Sequence, residues 1–207
     1  MNSDLAYLLG VFQSDGCYWK FYNKKRNKLV HRLGFYGNEK SLPMLEKAQA
    51  VLKKEFGRNL AISMRNDKKN FYIQTSINSD LEVFERLGFL SPKSHTPRWI
   101  SKNEEIFFAY LAGMIDGDGN VCIKRPSYPQ CRVTITSEFT LPELKVFIEK
   151  FLSCKVNYYK YKNRNAYNID FYISSKNARK ARENLYPNLT IKHKRDALNS
   201  FLGCYFP

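Results

Sequence analysis

The sequence predicts an α+β fold: two pseudo-symmetric α-β-β-α-β-β-α repeats, with antiparallel sheets and a pair of helices packed at a central seam. Three observations lead there. A nine-residue stretch occurs twice, as LLGVFQSDG at 8–16 and LAGMIDGDG at 111–119, about half of the 207-residue chain apart. Each copy is an apolar run with a glycine inside it and Asp-Gly at its end. The same order of helix-period and strand-period patterns then follows each copy.

The first helix is predicted to be capped by Ser3 or Asp4 and to end at Asp15, with Leu5, Leu8, Leu9 and Phe12 as its apolar stripe. CYWKFY reads as a strand, NKKRNK as a basic turn, and 29–37 as the returning strand of a hairpin. Ser41 should cap the next helix, with Pro43 in its first turn and Gly57 as its stop. Leu42, Leu45, Ala48, Gln49 and Leu52 fall on or beside its inner face. A second hairpin follows, NLAISMR and NFYIQTSI around a turn at 66–69, then a helix capped by Asn78 or Ser79 and ending at Gly88.

Residues 91–102 carry Pro92 and Pro97 and read as a stiffened linker between an N-terminal repeat, 1–90, and a C-terminal repeat, 103–207. The order then recurs. A helix over 104–118, capped by Ser101 or Asn103, carries Phe108, Leu111, Ala112 and Ile115 as its stripe. NVCIKR and QCRVTITSE form a hairpin, Thr140 opens TLPELKVFIEKFLSC, and KVNYYKYKN with AYNIDFYIS makes the second hairpin. SKNARKARENLY is the last repeat helix, and 194–205 is a C-terminal helix.

A glycine inside a helix costs about 1 kcal/mol against alanine, so Gly10 and Gly113 call for another reason, and close approach of a second backbone supplies it. Two helices packed through these glycines would end together and bring Asp15 and Asp118 to one point. The glycine after each acid would let the chain turn out of the helix. Paired carboxylates repel unless a cation lies between them, and aspartate oxygens suit Mg²⁺ with water and phosphate completing its shell.

Composition agrees with a nucleic-acid partner. With 43% hydrophobic and 15% aromatic residues the chain folds, and its net charge of +15 implies an anionic partner. Alternation along the strands leaves one sheet face polar. Lys20, Arg32, Tyr36, Arg65, Tyr72 and Gln74 in the first repeat are candidate DNA contacts, as are Lys124, Arg132, Thr134, Lys160 and Asn168 in the second. The strand order leaves the orientation of Trp19 open. Five cysteines without C-x-x-C spacing argue against a zinc ribbon or disulfide framework and fit a reducing interior. No apolar run reaches transmembrane length, and the first residues do not predict a signal peptide.

The repeated stretch resembles the LAGLIDADG motif of homing endonucleases and intron maturases. The second copy is close to it letter for letter; the first departs at Gln13 and Ser14 but keeps Gly10, Asp15 and Gly16. The resemblance implies a single-chain, two-repeat, pseudo-dimeric enzyme whose sheets form a DNA-binding saddle. It implies Mg²⁺-dependent hydrolysis of both strands of double-stranded DNA, leaving short 3′ overhangs. Asp15 and Asp118 would be the metal-binding catalytic acids, one per strand. Lys93 and Lys194, 101 positions apart, would be catalytic lysines at the scissile phosphates, and Asn38 and Ser137 would hold the water shell. Gln13 stands where Asp116 supplies an acid, a departure expected to be tolerated. The halves differ at most positions, so the target is expected to be long and non-palindromic, and the protein a monomer encoded within an intron. The alternative is an RNA maturase assisting intron splicing, or a DNA-binding protein that does not cleave. Abundant Lys, Asn, Tyr and Phe fit an AT-rich genome and an intracellular setting, in an organelle or a microbial cytoplasm.

Overall fold

The computed structural model describes residues 1–66, 69–90, 93, 95–124, 129–138, 141–161 and 165–206. Helix α1 (Ser3–Asp15) runs directly into strand β1 (Gly16–Asn23), and β2 (Lys28–Asn38) returns beside it. Helix α2 (Leu42–Phe56), the short strand β3 (Ser63–Met64), β4 (Asn70–Ser76) and α3 (Leu81–Leu87) complete the first repeat. The second repeat follows the same order: α4 (Glu104–Asp118), β5 (Gly119–Lys124), β6 (Gln130–Ser137), α5 (Pro142–Leu152), β7 (Val156–Lys160) and β8 (Tyr167–Ile173). A short helical turn, α6 (Ala178–Lys180), continues into one wide π turn over Ala181–Leu185, and α7 (Lys192–Leu202) closes the chain. The two sheets are antiparallel and equivalent, in strand orders β1-β2-β4-β3 and β5-β6-β8-β7. No helix among the described residues is long and apolar enough to cross a membrane.

Asn103 caps α4 as expected, accepting from the Ile106 amide at 2.8 Å. Several other element ends differ from expectation for local reasons. Asn2, not Ser3 or Asp4, caps α1, its side chain accepting from the Leu5 amide at 3.0 Å. Ser41 sits at the cap of α2 but makes no side-chain cap bond. Asn78 does not cap α3. It ties β2 instead, accepting from the His31 amide and donating to the Leu29 carbonyl. The predicted strand over NLAISMR shrinks to Ser63–Met64. The last repeat helix is a π turn, and α7 starts two residues earlier than expected. Thr140, Pro92 and the turn residues 67–68 lie outside the described residues.

The core runs through both repeats without a break. At its centre α1 and α4 lie in backbone contact. A Cβ on Gly10 would stand 2.2 Å from the Tyr110 carbonyl, and one on Gly113 would stand 2.2 Å from the Tyr7 carbonyl. Both helices are therefore buried nearly all round, from Leu5 to Gln13 and from Ile106 to Asp116. The 95–101 segment packs onto this pair: Trp99 and Ile100 are buried, and the Trp99 indole donates to the Leu87 carbonyl at 3.2 Å.

Gly10→Ala or Gly113→Ala should lower stability by about 3 kcal/mol, the upper end of overpacking costs, because backbone and not side chain blocks the methyl. Urea unfolding of the purified variants measures this. A midpoint equal to wild type for both would mean that the helices do not touch at these glycines.

Candidate active site

Each motif helix ends where its strand begins, so Asp15 and Asp118 are the last helical residues before β1 and β5. The glycines that follow are not in the left-handed region. Gly16 has φ −81° and Gly119 φ −87°, ordinary extended backbone. They are needed for space. A Cβ on Gly16 would come 2.5 Å from the Phe12 backbone, and one on Gly119 2.5 Å from Ile115 Cα. The chain leaves each helix pressed against its own last turn, so the glycines let it turn out into a strand by leaving room and not by a left-handed backbone.

Asp15 and Asp118 line one cleft of about 850 Å³, together with Lys93, Ser137, Glu138 and the Gln13–Tyr18 stretch. Burial and the Asp118 charge push the Asp15 carboxyl up to about 6, against the pull of Lys194 and Lys93. Burial likewise raises Asp118; Lys93 and Lys194 oppose it and Glu138 adds to it. Both acids thus resist ionising together, the behaviour expected of carboxylates facing one another in a partly dry cleft.

The two expected lysines separate. Lys93 lines the cleft, donates to the Gly16 carbonyl and lies 4.9 Å from the Phe12 ring centroid. Lys194 does not line the cleft. It is 6% exposed, and its ammonium donates to the carbonyls of Ile115 (2.7 Å), Asp116 (2.7 Å) and Gly117 (3.2 Å). A cation spent on the last carbonyls of α4 steadies the helix end that presents Asp118. Ser137 is buried in the cleft wall. Asn38 is not among the residues lining the cleft; its carboxamide accepts from the Lys40 amide at 2.9 Å in a local turn.

The motif's departures have a structural cause. Asp116 is 1% exposed and meets only donors: the Tyr7 hydroxyl, the Thr190 amide and hydroxyl, each at 2.8 Å, and the Ile191 amide at 3.3 Å. An acceptor-only carboxylate fits that site. Gln13, 2% exposed, accepts from the Tyr110 hydroxyl but must also donate, at 2.9 Å, to the His95 carbonyl. A carboxylate cannot donate there, and an amide can. Ser14 donates to the Gly10 and Val11 carbonyls and fills the space that Gly117 leaves; a Cβ on Gly117 would overlap the Ser14 hydroxyl.

Strand pairing places the candidate DNA contacts. Arg32, Tyr36, Tyr72 and Gln74 share the open face of the first sheet, and Trp19, paired with Arg32, joins them. The Tyr36 and Tyr72 rings stack at 6.2 Å, and Arg65 lines a hollow beside them. Lys20 does not join this face: it pairs with His31 and shares the helix-side parity of Tyr18 and Leu33. In the second sheet Arg132, Thr134, Asn168 and Lys124 share the open face. Lys160 is on the other parity, with Tyr158, and lies over the Tyr167 ring; its neighbour Tyr159 faces the open side. Successive strand residues point to opposite faces, so neither lysine shares the open face with the other candidates. Asn168 is only 3% exposed, accepting from Thr136 at 2.8 Å and donating to the Tyr159 and Tyr161 hydroxyls at 2.9 and 2.7 Å. Asp170 and Tyr159, which sequence reasoning did not single out, belong to the same layer; the alternation of AYNIDFYIS already put Asp170 beside Asn168.

No family model matches the sequence, and no curated protein does. Solved structures do. I-DmoI in complex with DNA and Ca superposes with a TM-score of 0.66 at 14% identity, over 96% of this chain and 97% of that one. The I-LtrWI LAGLIDADG homing endonuclease bound to target DNA gives 0.63 at 14%, over 98% and 90%. The LAGLIDADG homing endonuclease I-GzeII in complex with its DNA target gives 0.60 at 12%, over 95% and 88%. The chain has the fold of the LAGLIDADG homing endonucleases.

Two predictions follow the site's electrostatics. The Asp15 carboxyl is raised in the folded protein from 3.8 to about 6, so its ionisation costs stability as pH rises through that window. Without divalent cations, Asp15→Asn should be more stable than wild type at pH 7.5, by up to about 3 kcal/mol, and the gap should close near pH 4. Denaturant melts at both pH values read this; a variant less stable than wild type at pH 7.5 would refute it. Gln13→Glu should lose roughly 3 kcal/mol at pH 7.5 by facing a carboxylate to the His95 carbonyl. The loss should shrink as acid protonates the new side chain. A loss independent of pH would point to shape and not charge.

Proposed function

We propose that this chain is a site-specific DNA endonuclease that makes a double-strand break in a long, non-palindromic target by metal-assisted phosphodiester hydrolysis, one acid per strand. The observation that carries this reading is the convergence of Asp15 and Asp118, one from each repeat, in a single cleft at the junction of two open-faced sheets. The net charge of +15 supports an anionic partner, and the likeness to endonucleases solved with DNA supports double-stranded DNA as that partner. Both acids come from one chain, so the active unit is a monomer.

The donor set fits a hard divalent cation such as Mg²⁺. Two carboxylates that burial and mutual repulsion keep from ionising together gain most from a shared cation. Among the described residues no group of three or more His, Cys, Asp or Glu side chains could hold a metal alone, which leaves positions for water and phosphate. Asp15 and Asp118 would hold the ion, and when bound it supplies Lewis-acid activation of water and of the scissile phosphate. Lys93 sets positive charge at the cleft wall, where phosphate oxygens would lie. Lys194 is a positioning residue acting through the end of α4. Ser137 offers a hydroxyl in the cleft wall for an ordered water.

Purified protein given a randomised duplex library should make discrete double-strand cuts with Mg²⁺ and bind without cutting in Ca²⁺. Asp15→Asn and Asp118→Asn should each keep binding and lower double-strand cleavage by roughly a thousandfold. Folded variants that lose binding would refute the roles of the acids. Recovery of structured RNA in place of duplex would replace the reading with the maturase one.

A further inference from the structure

Arg32 and Arg132 are equivalent in the two repeats: each precedes by three residues the β2 or β6 position that pairs with Gly16 or Gly119. Their surroundings differ. Arg32 lies over the Phe21 ring, 4.9 Å from its centroid, and no carboxylate pairs with it among the described residues. Arg132 donates from Nη2 to Asp170 at 2.5 Å, with its side chain still 30% exposed. Asp170 is 4% exposed, buried beside Asn168 on the polar face, and its other partners are the Thr134 hydroxyl at 2.6 Å and the Tyr159 hydroxyl at 3.1 Å. In the first sheet the position pairing as Asp170 does is Gln74, opposite Gly34.

A carboxylate in the middle of a surface meant for phosphates repels the ligand, so it needs a compensating use. Asp170 has three donors converging on it: the Thr134 and Tyr159 hydroxyls hold the carboxylate in place, and the carboxylate in turn tethers the Arg132 guanidinium through Nη2. Arg132 Nε is buried without a partner among the described residues, so the Nη1 hydrogens and the second Nη2 hydrogen are the donors left to form an end-on fork toward guanine O6 and N7 in the major groove. Resting on the proposed DNA reading, we infer that Asp170 is a specificity-determining positioning residue: it holds Arg132 to read one guanine in the half-site under the second sheet, without itself touching DNA. Arg32, over a ring and with no carboxylate partner among the described residues, is tethered less tightly and contributes affinity with less discrimination. The two half-sites are therefore read with unequal stringency.

The test is a binding selection from randomised duplexes in Ca²⁺, followed by sequencing, with wild type, Asp170→Asn and Arg132→Lys. Wild type should show one guanine-specific position in one half-site. In both variants preference there should fall about tenfold or more, while preferences in the other half-site hold. Total affinity of Asp170→Asn should stay level or rise, since a negative charge leaves the interface. An unchanged profile for either variant, or a uniform loss at all positions, overturns the role of Asp170. Arg132→Lys keeps the ion pair's charge and decides the matter if Asp170→Asn does not fold. Failure of wild type to enrich any duplex overturns the DNA reading itself, and with it this inference.

Discussion

The backbone contact between α1 and α4 at Gly10 and Gly113 is the constraint on which the rest of the structure depends. The strands begin at the residue after each helix, so one contact sets both the spacing of the acids and the relation of the sheets. Side chains of any size at the crossing would part the helices, and the carboxylates with them. The apolar residues beside the glycines, fully buried from Ala6 to Leu9 and from Phe107 to Ala112, supply the burial that offsets the glycines' helix cost.

Two-fold symmetry is strict at that seam and relaxes outward. Tyr7 and Tyr110 are equivalent and each reaches across to the opposite helix. Their acceptors differ, Asp116 and Gln13, because the outer neighbour is a set of amide and hydroxyl donors in one repeat and a carbonyl in the other. Farther out the arginines share a position and not a partner. A duplicated chain can keep its symmetric centre while each half acquires its own surface, since only the centre must match itself.

Much of the fold was legible because repetition and the helix and strand periods survive without knowledge of neighbours. The order of elements, the seam glycines and the paired acids come from those signals. Side chains whose task is set by tertiary neighbours were less legible. Lys194 has the spacing of a phosphate contact, but only the folded chain shows α4 ending over its ammonium. The faces of Lys20 and Lys160 were not legible, because aromatics interleave with them and blur the two-residue period. Asp170 gives no signal of its role in the sequence; that role depends on three donors that only the folded sheet brings to it.

The centre of this basic chain is its negative point. Two carboxylates converge there, and each stands at a helix C-terminus, where unpaired carbonyls add roughly half a negative charge. Lys194 answers the carbonyls of α4 and Lys93 that of Gly16, so both local ammonium groups are partly spent on backbone. Against three acids, Asp15, Asp118 and Glu138, and two helix ends, roughly −4 in all, stand two lysines, which leaves a deficit of about two charges before any DNA phosphate arrives. Burial first, and the neighbouring acids second, hold the carboxyls of Asp15 and Asp118 raised. On the proposed reading, the sheets draw in the polyanion while the centre would repel its phosphates, and a divalent cation resolves the conflict at the point where the backbone must be cut. Binding to the sheets and chemistry at the seam would then be separable: removing an acid's charge relieves the centre without disturbing the surface that holds the DNA.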